Sequence, residues 1–399
     1  MKNTILFVSA RLPYPAKEGH QLRALGVLKE LCGEYDVHLL SLLRKGECLE
    51  EAKPLYELCK SVTGVRITNN ITTNLYAAIR SIIKSTPLVV EKYSSNALKK
   101  AFVALLKDTN PDVVHLDLLP LCGLMDVIPK NNLVVVNEHN VESALLKQRL
   151  QSVNNVILKL ILSREFRLLD LFERNVVSHC DAVIACSDTD TQLLQSMGAR
   201  NAHTIANGVD TKLLKPSKKD VKQNKIVFLG GMGWYPNRLG VSWFINDVLP
   251  LIVRENSNIK FDIIGNPNPQ VPVPCEMESY VNFLGFVDDF TSNIHKSTVF
   301  IVPLHHGSGT RLKVVEGLSM GKCIISTHKG AEGIDVMADR DIIFADTEKE
   351  FSLAVLDCLN DNKKRRQIEE AARNIAVSVY DWHVIGSKLR TIYSNLLNK

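Results

Sequence analysis

The chain lacks any apolar run approaching the eighteen or so residues that a membrane-crossing helix needs. Its first apolar run, Ile5 to Ala10, is cut off by Arg11, Pro13 and Pro15, too soon for a secretory leader, and reads as a first strand. The nine cysteines, at 32, 48, 59, 122, 180, 186, 275, 323 and 358, never form C-x-x-C. That excludes zinc-ribbon and thioredoxin-like chemistry and predicts buried thiols in a reducing compartment, hence a cytoplasmic protein. Charge of one sign is also missing. With 48 basic and 43 acidic side chains the balance is only +5 over 399 residues, so no nucleic-acid partner is expected. No G-x-G-x-x-G follows the first strand. In the second half Gly231-Met232-Gly233 begins that pattern, but Pro236 stands where its third glycine belongs, which argues against a nicotinamide dehydrogenase. His305-His306 has no third ligand at usable spacing, and Asp188-Thr189-Asp190 opens an amphipathic helix after Ser187. Neither reads as a metal site, and no metal or cofactor is expected.

What is present is an average globular composition, 45% apolar and 23% charged. Short Val/Ile-rich runs alternate with longer amphipathic stretches. The runs are 4–8, 36–42, 113–116, 133–136 and 182–186, then 226–229, 261–264, 281–284, 299–302 and 323–326. Strands apolar on both faces and separated by helices predict an α/β protein with two parallel sheets. In the first helix, 21–32, Leu25, Leu28, Leu31 and Cys32 are expected to share the buried face. A Lys-rich, aperiodic stretch, 212–225, marks the boundary between the two sheets. Basic residues cluster from Asn74 to Lys107, where Arg80, Lys84, Lys92, Lys99, Lys100 and Lys107 face the single acid Glu91. A second group, Lys159, Arg164, Arg167 and Arg174, follows. Such helices either lie on an anionic membrane surface or simply present a solvated face.

The most informative stretch runs from His305 to Gly317. Gly307-Ser308-Gly309-Thr310 forms a small-residue turn between a strand and a helix, where backbone N–H groups can cradle an anion. Arg311 and Lys313 place cations at that helix start, an unfavourable location unless an anion sits there. Glu316, one turn beyond Lys313, could accept both hydroxyls of a ribose. The other reading is a surface Lys–Glu pair above a tight turn. His139 follows a buried strand at its carboxyl end, where open α/β sheets bind ligands, or else serves only the turn. Asn140 and Glu142 are equally ordinary helix-start residues.

The order of strand, glycine turn, Arg311-x-Lys313-x-x-Glu316 helix, strand Gly321 to Thr327 and turn Gly330-Ala331-Glu332-Gly333 closely resembles the nucleotide-sugar site of glycosyltransferase family 4, retaining enzymes of GT-B fold. It is similar in particular to the bacterial branch associated with exopolysaccharide gene clusters. The resemblance extends over Arg11 to Arg23, Pro111 to His115, Asn137 to Glu142, Asn207 to Asp210, Gly230 to Asn237, Gly285 to Asp289 and Tyr380-Asp381-Trp382. It implies two Rossmann-like domains facing each other across a cleft: an acceptor-side domain, 1–207, a nucleotide-sugar domain, 208–380, and a C-terminal helix, 381–399, packing back on the first. It also implies a nucleotide sugar as donor, a glycan or lipid-linked oligosaccharide as acceptor, and peripheral contact with the inner membrane face. Donor binding would involve Gly19, Gly307, Ser308, Gly309, Thr310 and Glu332. His139, Arg311, Lys313 and Glu316 would serve the reacting centre. Two positions depart from the family pattern. Ser308 stands where the first of two motif carboxylates is usual, and the loop after the first strand of the second domain carries no Arg before Arg238. A non-catalytic GT-B subunit and a nucleotide-sugar epimerase are therefore alternatives to a transferase.

Overall fold

The computed structural model describes residues 2–16, 18–68, 70–217, 224–287, 289–307 and 311–398. The chain forms two compact units, Met1–Ala206 with Ile385–Lys399, and Asn207–Val384.

The first unit is built on β1 (Thr4–Ser9), β2 (Asp36–Leu43), β3 (Ser61–Arg66), β4 (Val113–Asp117), β5 (Leu133–Asn137), β6 (Ala182–Ala185) and β7 (Ala202–Thr204). They lie in the order β3-β2-β1-β4-β5-β6-β7, all parallel, with Ile5 opposite both Val37 and Val113. Ile5 to Val8 are fully buried because helices cover both faces of a parallel sheet. The second unit holds β8 (Lys225–Leu229), β9 (Lys260–Ile264), β10 (Val281–Gly285), β11 (Val299–Val302), β12 (Cys323–Ser326) and β13 (Ile343–Phe344), ordered β10-β9-β8-β11-β12-β13 and again parallel. Each is a Rossmann-like sheet with its strand order reversing beside the first strand.

The helix Gly19–Glu34 buries Ala24, Val27, Leu28 and Leu31. The apolar face is thus turned slightly from the expected one, and Leu25 and Cys32 are only half-buried. The turn falls where it does because Arg23, at 1% exposure, is drawn into the core by its hydrogen bonds. The thiols also differ from expectation. Cys59, Cys122, Cys186, Cys323 and Cys358 are buried, but Cys32, Cys48 and Cys180 are half-buried and Cys275, which opens a surface turn after Pro274, is exposed.

The helix Trp382–Leu397 spans the division: Ile385 onward belongs to the first unit. There Leu389, Tyr393 and Leu396 are buried, the Tyr393 hydroxyl is hydrogen-bonded to His115 Nδ1, and Arg390 pairs with Glu30. Two of the sequence motifs brace each other inside the second unit. Val209 N donates to Tyr380 O at 2.8 Å, Trp382 N donates to Val209 O at 3.1 Å, and Asp381 accepts from the Thr211 hydroxyl. Trp382 packs on Gly208, where an added Cβ would lie 2.6 Å from the indole. These motifs are structural clamps.

Candidate functional site

In the first unit the carboxyl ends of β1, β4 and β5 gather a polar cluster inside an apolar sheet. His139 Nε2 lies 2.9 Å from Asp117 Oδ1, and the Asn137 amide donates to the same oxygen at 2.7 Å. Arg23 fixes Asn137 in turn, donating from Nη2 to its Oδ1 at 2.9 Å while Nη1 donates to Ile205 O at 2.8 Å. Burial works to raise the Asp117 carboxyl, yet the charges of His139 and His115 hold it far below the usual carboxylate range. Asp117 is therefore a fixed anion that orients the His139 ring. His139 itself is 9% exposed.

The loop from Arg11 to His20 rises beside this cluster. Arg11 pairs with Glu18 at 2.8 Å and Glu47 at 2.7 Å, and Gln21 Nε2 donates to Leu12 O at 2.8 Å. Gly19 is the exposed first residue of its helix. Next to it His20 is pushed down to about 4 by burial, against the pull of Glu18, and it feels the charges of Arg11, His139 and Asp117. Neither Asp117 nor His20 stands out in the sequence; the available signal was an acid at the end of an otherwise apolar strand. Glu142 and Ser143 open the helix Glu142–Gln151, their N–H groups donating to Glu173 at 2.8 and 3.1 Å, which is a capping role. Ser187 likewise caps the helix Asp188–Ser196, accepting from Asp190 N. Asp188 and Asp190 are helix-start residues.

In the second unit, the loops after β8 and β11 converge on the start of the helix Leu312–Ser319. Arg311 is the residue preceding that helix, 5% exposed, its guanidinium 5.2 Å from the Trp234 ring centroid. Lys313 Nζ donates to Asn237 Oδ1 at 2.6 Å and sits 4.1 Å over the Phe228 ring. Burial pushes the Lys313 ammonium well below its ordinary value, Arg311 repels it further, and Glu316 opposes the shift. The Glu316 carboxyl is raised by burial to about 7, with Lys313 pulling the other way. Two glycines make room for this pair. At Gly307, with φ +107°, a Cβ would lie 2.7 Å from Arg311 Nη2; at Gly230, with φ +152°, one would lie 2.7 Å from Lys313 Nζ.

Arg238 is occupied elsewhere: Nη1 donates to Met232 O at 3.0 Å and the side chain covers Tyr235. Asn237 and Trp234, rather than a loop arginine, therefore set the cations. Both lie in the Gly230 to Asn237 motif, but their amide and indole roles were not legible there. Glu332 lies in the turn after β12, its carboxylate 2.5 Å from Lys329 Nζ. His305 packs edge-on against Trp243. Ser308, Gly309 and Thr310 lie outside the described residues.

Residues 19–213 match the Glycosyltransferase Family 4 domain and residues 223–361 match Glycosyl transferases group 1, one domain falling largely on each unit. A pair of Rossmann-like units carrying these two domains is a glycosyltransferase of GT-B fold. The chain belongs to glycosyltransferase family 4. It is 23% identical over 395 residues to an uncharacterized 44.6 kDa protein of the cps region of Klebsiella pneumoniae, covering 93% of this chain and 94% of that one. Among solved structures it superposes on sucrose-phosphate synthase from Thermosynechococcus elongatus with a TM-score of 0.74 at 15% identity, over 100% of both chains. It also superposes on Anabaena HepE in complex with UDP with a TM-score of 0.68 at 14% identity, covering 98% of this chain and 100% of that one.

Proposed function

We propose that the protein transfers a sugar from a nucleoside diphosphate donor to a hydroxyl of a glycan or lipid-linked acceptor, with retention at the anomeric carbon, during assembly of a bacterial surface polysaccharide at the cytoplasmic face of the membrane. One observation carries the reading: Lys313 is half-buried at a helix start beside Arg311, bonded to the neutral amide of Asn237 and in no salt bridge among the described residues. Desolvation and Arg311 both disfavour this charge and only Glu316 opposes them, so the site is suited to a ligand that supplies further negative charge. The diphosphate of the donor does so, and its charge grows as the sugar bond breaks, so the same two cations stabilise the departing group. No metal is needed in this scheme. Glu316 would take the ribose hydroxyls. The first unit would present the acceptor, with His139 held by Asp117 to position the sugar. The bound UDP of HepE and the cps-region location of the Klebsiella relative support this assignment.

The test is incubation with a panel of nucleotide sugars, with and without acceptor glycans and EDTA, following released nucleoside diphosphate. Release that requires acceptor, survives EDTA and is lost in Lys313→Met and Glu316→Ala is expected. Binding with no turnover on any donor would assign a non-catalytic subunit, and an altered donor sugar without transfer would assign an epimerase. Melting with UDP, GDP and ADP separately identifies the nucleotide, since saturation at a hundredfold excess over Kd stabilises by about 2.7 kcal/mol.

A further inference from the structure

The basic stretch between Asn74 and Lys107 divides in the structure into two unlike helices. Asn96–Thr109 turns Leu98, Phe102 and Leu106 into the core and its lysines outward, an ordinary amphipathic helix. Ile71–Lys84 does the opposite. It buries the small Ala77 and Ser81 and presents Ile71, Leu75, Ile79, Ile82 and Ile83 to solvent, a stripe at helical spacing, with Tyr76 beside it. Ile71 and Ile83 are 86% and 77% exposed. The helix Val156–His179 begins in the same way: Val156, Ile157, Leu160 and Ile161 are exposed, and only its later part, with Leu169, Val176 and Val177, joins the core. The two segments are tied together by hydrogen bonds beneath these faces. Arg164 Nη2 donates to Ser81 O at 2.9 Å, and Glu165 accepts from Leu88 N at 2.8 Å.

Charge decides what covers this surface. Residues 71–90 and 143–164 contain no Asp or Glu, while Lys84, Lys147, Arg149 and Lys159 are exposed around the apolar side chains. The acids that follow these two segments, Glu91 and Glu165, are held by Arg80 at 2.9 Å with Lys84 at 3.6 Å, and by Arg164 at 2.5 Å. A second copy docking face to face would oppose the same cations across a two-fold axis, which disfavours it. Apolar side chains ringed by lysine and arginine instead match the boundary between acyl chains and anionic headgroups. Among the described residues no helix is long and apolar enough to cross a membrane, so contact of this kind would be at the surface.

We infer that the faces of Ile71–Lys84 and of residues 156–161 form one docking surface for an anionic lipid bilayer. This deepens the proposed function by placing a lipid-linked acceptor within reach, but its test uses no turnover, so either reading can fail alone.

The experiment is flotation of the full chain with vesicles of equal parts phosphatidylcholine and phosphatidylglycerol, against vesicles of phosphatidylcholine alone. Binding to the first, weakened by salt and by at least about tenfold in Ile79→Glu/Ile83→Glu, is expected. Lys147→Glu/Arg149→Glu/Lys159→Glu alters charge at exposed positions and should lose a comparable factor. Circular dichroism and nucleoside diphosphate binding, unchanged in both variants, certify the fold. Absence of binding to the anionic vesicles, equal binding by the variants, or a dimer in light scattering that Ile79→Glu/Ile83→Glu dissolves would overturn the inference.

Discussion

Glu138 shows how far a single buried group can shape this protein. It follows β5 at 1% exposure, and burial, reinforced by the charges of Glu173, Glu142 and Asp190, raises its carboxyl well above the ordinary 4.5. A group raised in the folded state contributes stability below its unfolded value and loses that contribution as the pH climbs toward the folded one. Stability from Glu138 is therefore present under acidic conditions and absent under alkaline ones. Glu138→Gln, close in shape and unable to ionise, should raise the melting temperature at pH 8 by a few degrees, about 1 kcal/mol or more, with a smaller gain at pH 5. Thermal melts at the two values check it; an equal or larger gain at pH 5 would contradict the assignment. Asp117 runs the other way. Its pKa is depressed, so its contribution is lost only when the pH falls below the usual carboxylate range.

At the scale of elements, the cation pair depends on its backbone surroundings as much as on its own side chains. Gly230 has φ +152°, and a methyl there would sit 2.6 Å from Asn237 Nδ2 and 2.7 Å from Lys313 Nζ. Gly230→Ala should lower affinity for nucleoside diphosphate by about tenfold or more in calorimetry, while strain of about 1–3 kcal/mol trims stability. The same scale explains what could be read beforehand. Nine strands were legible because they are central and largely apolar, and the edge strand β10 because Val281, Phe283 and Leu284 still make an apolar run, whereas β3, β7 and β13 were not. Each of these three is a sheet edge, half-buried or only two residues long, so no apolar run announces it. Arg311, Lys313 and Glu316 were legible because one helix start carries them. Asp117 ends β4 and His139 lies two residues beyond β5, twenty-odd residues apart in the chain, and only the parallel pairing of β4 with β5 brings them together.

The whole molecule consists of two units, each with its own sheet and core. Thermal unfolding should therefore be resolved into two transitions rather than one. A nucleoside diphosphate should raise only the transition assigned to residues 207–384, where Lys313 and Glu316 lie. Calorimetry with and without nucleotide, with Lys313→Met as control, tests this; a uniform upward shift of both transitions would count against a donor site confined to that unit.

The helix that completes the first unit has a consequence in time. Tyr393 fills the space against His115, and Arg390 reaches Glu30, yet residues 385–399 are translated only after the whole of 207–384. At roughly 5–20 residues per second, a ribosome leaves the first sheet without its last helix for about ten seconds or longer. During that interval the nascent first unit lacks the side chains that fill the seat of Leu389, Tyr393 and Leu396, leaving apolar surface of the kind that favours aggregation until its own distant segment arrives.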